Sequence, residues 1–383
     1  MTTFIDKIRL LYDEEKKGTA IPIKSTDLPV SFEVITPQWL TSVLCKDTPG
    51  AKVESVTLGE PDNGTYNRRK ITVQYNAVGE AQRLPEKLFC KATHELQNRI
   101  VMGVSGALIC ETIFYNDVRP LVDIEAPIGL FGNYDPESCN SILIMEDLSD
   151  RVESFCSHET PMNRRRLESQ MELLASLHSR FLESPELSTI LSKLVTFPEF
   201  LHKSMEFGFE AASNQGFLEG VDVIPHSLYK RYAEIWPKTL ASAEKHDLLP
   251  QTFLHNDVHL KNWYCLPDDK MGLSDWQCCG RGHWSRDLAY TISTACSVED
   301  RRNWERDLIA FYLEKMREGG APAISFDEAW HHYRQQMLSV LAFWTITLSP
   351  PSDLPDMQPK DTTLSFIHRI ATAVDDLGSL HLD

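Results

Sequence analysis

Residues 253–290 read FLHNDVHLKNWYCLPDDKMGLSDWQCCGRGHWSRDLAY. His255, Asp257 and Asn262 stand in an H-x-D-x-x-x-x-N spacing. A short apolar run, Trp263–Leu266, follows, and Pro267–Asp268–Asp269–Lys270 is a turn signal. A second run, 271–274, then delivers Asp275. The pattern predicts a β-hairpin with Asn262 at its entrance and Asp275 at its exit. Such a hairpin brings Asp257, Asn262 and Asp275 to one edge. Three oxygen-bearing side chains there suit a hard cation, since Mg²⁺ takes one or two carboxylates and fills its shell with water and phosphate oxygens.

With Asn262 and Asp275 on Mg²⁺, Asp257 is left to accept a proton from an attacking hydroxyl. That division of labour is the one used in phosphoryl transfer. The stretch resembles the catalytic region of the aminoglycoside phosphotransferase and choline kinase superfamily of small-molecule kinases. Asp275–Trp276–Gln277 and Asp287–Leu288–Ala289 are most similar to its ecdysteroid-kinase-like branch. His255–Asn256–Asp257, where many relatives have His-Gly-Asp, is similar to choline kinases. Two other readings stay open. A zinc hydrolase would recruit His255, His259 and Cys265, although the spacing is not a standard zinc pattern. A kinase-fold binding protein without turnover would be expected to lack one of the motif residues, and here all are present.

Composition narrows the partners. The 383 residues are enough for two lobes with a sizeable core. The net charge of −17 argues against nucleic acid or an anionic membrane as partner. No apolar run reaches the ~18 residues of a membrane span. The first residues, MTTFIDKIRLLYDEEKKG, read as an amphipathic helix without a signal-peptide core. Nine cysteines without framework spacing fit reduced thiols, hence a cytoplasmic protein.

Earlier in the chain, residues 19–36 are expected to wrap a surface, and Thr36–Pro37 to start a helix through about Cys45. Strands are expected at 52–58, 69–76, Lys87–Ala92 and 141–145, with a glycine-containing turn, GEPDNGTY, at 59–66. The resemblance implies that Gly64 and Thr65 face nucleotide phosphates. It also implies that Lys91 binds phosphate and pairs with a glutamate on the next helix, residues 98–119. Glu111 is the first candidate for that partner and Glu95 the competitor. Glu146–Ser149 would link the lobes. Adenine would bond to backbone there, near Leu148, with Glu146 or Asp147 within reach of the ribose. In the segment after Asp275, Arg281, His283, Trp284 and Arg286 are placed at a substrate mouth. His255 is read as holding the loop, His178 as a core histidine, and Asp287 as a helix cap that in relatives also braces the catalytic loop.

The expected fold is α+β, a two-lobed protein-kinase-like fold. Residues 1–148 form an N-lobe with the nucleotide-binding sheet, and 149–383 a helical C-lobe with the catalytic loop and acceptor site. The resemblance implies transfer of the γ-phosphoryl group of ATP, with Mg²⁺, to a small-molecule hydroxyl. Trp276, His283, Trp284, Trp330, Tyr333, Phe343 and Trp344 favour a largely apolar alcohol, such as a steroid- or terpenoid-like compound, over a cationic acceptor of the choline or aminoglycoside type.

Overall fold

Strand-forming runs between residues 53 and 146 pair into one antiparallel sheet. They are β1 (Val53–Asn63), β2 (Asn67–Tyr75), β3 (Lys87–Ala92), β4 (Gly129–Tyr134) and β5 (Ser141–Glu146). Their order across the sheet is β1-β2-β3-β5-β4. A computed structural model describes residues 3–18, 21–351 and 357–382. The chain divides into two units, Met1–Leu121 with Ala126–Arg151, and Val122–Glu125 with Val152–Asp383.

In the first unit, Trp39, Leu40 and Val43 of the helix Pro37–Leu44 pack with Ile71, Val73, Leu88, Cys90 and Ile144 of the sheet. The Thr36 side chain accepts from the Trp39 N–H and caps that helix, a contact worth about 1 kcal/mol. Of the segment expected to wrap a surface, residues 19 and 20 lie outside the described residues. Its remainder is pinned by Trp39 Nε1 donating to Asp27 O and by Asn140 Nδ2 donating to Pro29 O.

Two expectations need correction here. The turn expected at 59–66 is confined to its end: β1 continues to Asn63 through a register shift between Leu58 and Pro61. The helix expected at 98–119 is broken. Its first part, Leu96–Ser105, stops at Gly106, which adopts a left-handed conformation (φ 78°) that ends helices at little cost for glycine. Glu111 instead sits in a short turn, Cys110–Ile113, which passes into a π-helical segment, Phe114–Val118. The edge strand β4, GLFGNY, had no signal, because two glycines and an asparagine weaken any strand reading.

The second unit is mostly helical. Its long helices include Arg164–Phe181, Ile235–Asp247, Ser285–Ala295, Val298–Glu318, Phe326–Leu348 and Lys360–Asp376. Leu167, Met171, Leu174, His178 and Phe181 form the expected buried stripe, all at 0% exposure. A three-stranded sheet of Ser154–Phe155, Trp263–Cys265 and Met271–Leu273, and a two-stranded one of Thr252–Leu254 with Gly280–Gly282, carry the loop quoted above. The chain is α+β: one unit carries a five-stranded antiparallel sheet and the other is mostly helical. Among the described residues, no helix is long and apolar enough to cross a membrane.

Candidate functional site

The predicted hairpin is present. Trp263 faces Leu273, Tyr264 faces Gly272 and Cys265 faces Met271. Asn262 immediately precedes the first strand, and Ser274 N–H and Oγ both donate to its carbonyl, at 2.9 and 3.0 Å. Asp275 follows in a left-handed conformation (φ 65°, ψ 64°). Asn262 Nδ2 donates to Asp257 O at 2.7 Å and to Asp257 Oδ2 at 3.2 Å. These bonds engage the amide nitrogen and not Oδ1. The negative charges of Asp257 and Asp275 both act on His255 and His259. One carboxylamide oxygen and a neighbouring carboxylate form a hard-oxygen set, which fits Mg²⁺ better than zinc.

The loop around Asp257 is held from behind. Asp287 is fully buried, and its Oδ2 and Oδ1 accept the backbone N–H of His255 (2.7 Å) and Asn256 (2.9 Å). His178 Nε2 lies 3.4 Å from the same carboxylate, and its Nδ1 lies 2.8 Å from the Tyr312 hydroxyl. Burial alone would raise the Asp287 pKa, but His178, His255 and the loop amides together hold it below the usual carboxylate value. The helix Ser285–Ala295 starts two residues before Asp287, and its carboxylate binds the loop instead of capping the helix.

His255 Nδ1 accepts the Asp257 N–H at 3.2 Å while Nε2 donates to Ser274 O at 3.0 Å, an arrangement that requires the neutral ring. Burial lowers its pKa accordingly. Asn256 between them has φ 65°. This is a conformation that glycine and asparagine tolerate best, so glycine would fit at this position without strain. Arg286, over the Phe197 ring at 3.6 Å, donates from Nε to Asn256 Oδ1 at 3.1 Å.

Asp257 has 24% side-chain exposure. Its Oδ1 accepts the Tyr290 hydroxyl at 3.1 Å. Burial pushes the Tyr290 pKa well up, so the hydroxyl keeps its proton and donates. Sequence reasoning missed Tyr290; its position three residues after Asp287 on a helix was the available signal, because i and i+3 share a face.

In the sheet unit, Lys91 on β3 pairs with Glu111 at 2.8 Å, both nearly buried. Glu95 instead accepts the Tyr12 hydroxyl at 3.2 Å. The hairpin tip is tied down by Asn98 Nδ2, which donates to Gly64 O (2.8 Å) and Thr65 O (2.7 Å). Glu146 Oε1 accepts from Ile128 N–H and from Arg151, both at 2.9 Å, and Leu148 is buried in a turn, 148–150.

The substrate-mouth expectation fails for three residues. His283, Trp284 and Arg286 are 4%, 1% and 2% exposed. They are core because His283 stacks on His246 and Trp284 packs against Tyr312. Two of the three ligands of the zinc alternative are engaged elsewhere: His255 uses both ring nitrogens on backbone groups, and Cys265 Sγ sits 3.7 Å from Cys156 Sγ. Among the described residues, no group of three His, Cys, Asp or Glu side chains is placed to hold a metal.

Comparison with known proteins bears on this loop directly. Residues 156–323 match the Phosphotransferase enzyme family. The matched stretch contains Asp257, Asn262, Asp275, Asp287 and Tyr290; Lys91 and Glu111 precede it. The chain is similar to the solved GDP complex of an aminoglycoside 2′-phosphotransferase at 9% identity and TM-score 0.49, covering 89% of this chain and 96% of that one. It is also similar to a spectinomycin phosphotransferase in complex with ADP and spectinomycin (12% identity, TM-score 0.46, 90% and 99% covered). A third is an aminoglycoside phosphotransferase from Streptomyces rimosus (16% identity, TM-score 0.42, 79% and 97% covered). None of the curated proteins matches its sequence.

The buried histidines make stability sensitive to mild acid. Burial lowers the pKa of His94 and His246 from 6.5 to about 3, and it also lowers those of His255, His259 and His283. The folded chain therefore keeps these rings neutral while the unfolded chain protonates them near 6.5. Stability is present above that pH and is lost as pH falls below it. Each strongly depressed histidine costs about 1.4 kcal/mol per pH unit. Between pH 6.5 and 5, His94 and His246 alone should remove about 3 kcal/mol. Urea unfolding at pH 7, 6 and 5 measures this; equal midpoints across that range would contradict it.

Proposed function

We propose that this protein transfers the γ-phosphoryl group of ATP to a hydroxyl of a small molecule. The observation that carries the reading is the Asp257 carboxylate, part-exposed and held through both oxygens by Tyr290 and Asn262. A carboxylate so held can orient an incoming hydroxyl and take its proton. The hydroxyl oxygen forms a bond to the γ-phosphorus, the bond to the β-phosphate oxygen breaks, and ADP leaves. Asn262 and Asp275 would hold Mg²⁺, which when bound neutralises phosphate charge. Lys91, kept extended by Glu111, binds phosphate, and the Gly64–Thr65 turn, fixed by Asn98, offers backbone N–H groups to the same anion. Leu148 backbone and Glu146 border the adenosine.

The acceptor we propose is a largely apolar alcohol. Trp276, Trp284, Tyr333 and Trp344 are core residues and no longer support it. What supports it is a smaller patch, part-exposed Phe200 stacked on part-exposed Phe343. Arg286 ties this patch to Asn256, next to Asp257.

Millimolar Mg-ATP should raise the thermal midpoint, because a ligand selective for the native state stabilises it by mass action. No shift with Mg-ATP or Mg-GTP would remove the reading. Turnover of γ-labelled ATP is then compared across sterol and terpenoid alcohols, choline, ethanolamine and aminoglycosides. Efficient turnover confined to the cationic set would overturn the apolar acceptor and leave phosphoryl transfer standing.

A further inference from the structure

We propose that Tyr290 is the positioning residue for the Asp257 carboxylate, a role that rests on the phosphotransferase reading above. The two Asp257 oxygens are held from two directions. Asn262 Nδ2 reaches Oδ2 at 3.2 Å from the entrance of the hairpin, and the Tyr290 hydroxyl reaches Oδ1 at 3.1 Å from the helix Ser285–Ala295. Every residue of that helix is buried. Its Asp287 also accepts the N–H groups of His255 and Asn256. One rigid element thus sets both the path of the loop and the rotation of the carboxylate that the loop presents. The terminal torsion of an aspartate is broad and intrinsically poorly defined, so the plane of the carboxylate needs external contacts to fix it. With Tyr290 removed, the remaining direct hydrogen bond to the carboxylate among the described residues comes from Asn262, and His259 Nε2 stands further off at 3.6 Å. A tethered carboxylate keeps one geometry relative to an attacking hydroxyl, and small misplacements of a reacting group are costly.

The Tyr290→Phe variant keeps the ring and its packing and deletes only the hydroxyl. Tyr333→Phe is the control: it deletes an equally buried hydroxyl, which donates to Glu305 Oε2 at 3.0 Å and touches no loop residue named above. The probe is Mg-ATP, read first as slow hydrolysis with water as acceptor and then with the best alcohol from the panel. Tyr290→Phe should lower kcat about 10- to 100-fold with KM for Mg-ATP unchanged, since the lost contact matters only when the hydroxyl is attacked. Tyr333→Phe should lose a similar amount of thermal stability and keep kcat. Tyr290→Leu, also apolar, is the second variant should the phenylalanine form fail to fold, and the same split is expected of it. Wild-type kcat in the Tyr290 variants overturns the inference, as does an equal kcat loss in Tyr333→Phe. Wild-type protein that neither binds nor turns over Mg-ATP overturns the phosphotransferase reading itself and the inference with it.

Discussion

Asp257→Asn should leave Mg-ATP affinity unchanged and lower turnover by about 10²–10⁴-fold, the usual scale of general-base assistance. The amide keeps the size of the carboxylate, and its oxygen can still accept the Tyr290 hydroxyl that now meets Oδ1 at 3.1 Å. The loop is set independently by Asp287 through the His255 and Asn256 amides, so it should not move. What disappears is the basic oxygen that, on the proposed reading, takes the proton. Asp275→Ala should behave differently, weakening Mg-nucleotide binding together with turnover, because on the proposed reading it removes a metal ligand. Calorimetric titration with Mg-ADP beside steady-state turnover separates the two. Loss of nucleotide binding in Asp257→Asn, with binding kept in Asp275→Ala, would show that the two carboxylates have each other's roles.

Asp287→Ala should destabilise the helical unit by about 3–5 kcal/mol, the scale for breaking a fully buried charged network by removing one member. Asp287 is 0% exposed and satisfies two backbone N–H groups as well as facing His178. Alanine leaves those N–H groups buried without an acceptor, at about 1–3 kcal/mol each. Against a typical domain stability of about 5–15 kcal/mol this is a large fraction. Chemical denaturation of the variant measures it. A midpoint within error of wild type would mean that the loop amides find another acceptor and that Asp287 is not the brace.

Much of this was legible from local pattern. The hairpin 263–273 follows from two short apolar runs around Pro267–Lys270, and its register alone puts Asn262 and Asp275 at adjoining ends. The stripe Leu167–Phe181 has clean helical periodicity, because one face of that helix is buried, and the strand Lys87–Ala92 reads as a short apolar run. The hydrogen-bonded spacing of Asp257 and Asn262 is likewise local, five residues apart in the chain.

Other features were decided only by the tertiary structure. Lys91 pairs with Glu111 while Glu95 meets Tyr12, and the left-handed Gly106 breaks what periodicity read as one helix. The fate of the aromatic residues after Asp275 depends on packing from distant segments: Trp276 lies on His255, His283 on His246, and Trp284 on Tyr312. A sequence shows that such side chains are large and apolar but not which neighbours will cover them. The Tyr290–Asp257 contact joins residues 33 positions apart, on a helix and a loop, and exists because Asp287, on the same helix, anchors that loop. Residue types and short-range spacing thus determined which chemistry this chain can carry. Burial and long-range hydrogen bonding, which arise only when separate segments pack, decided which of those residues hold the base in place and which are core.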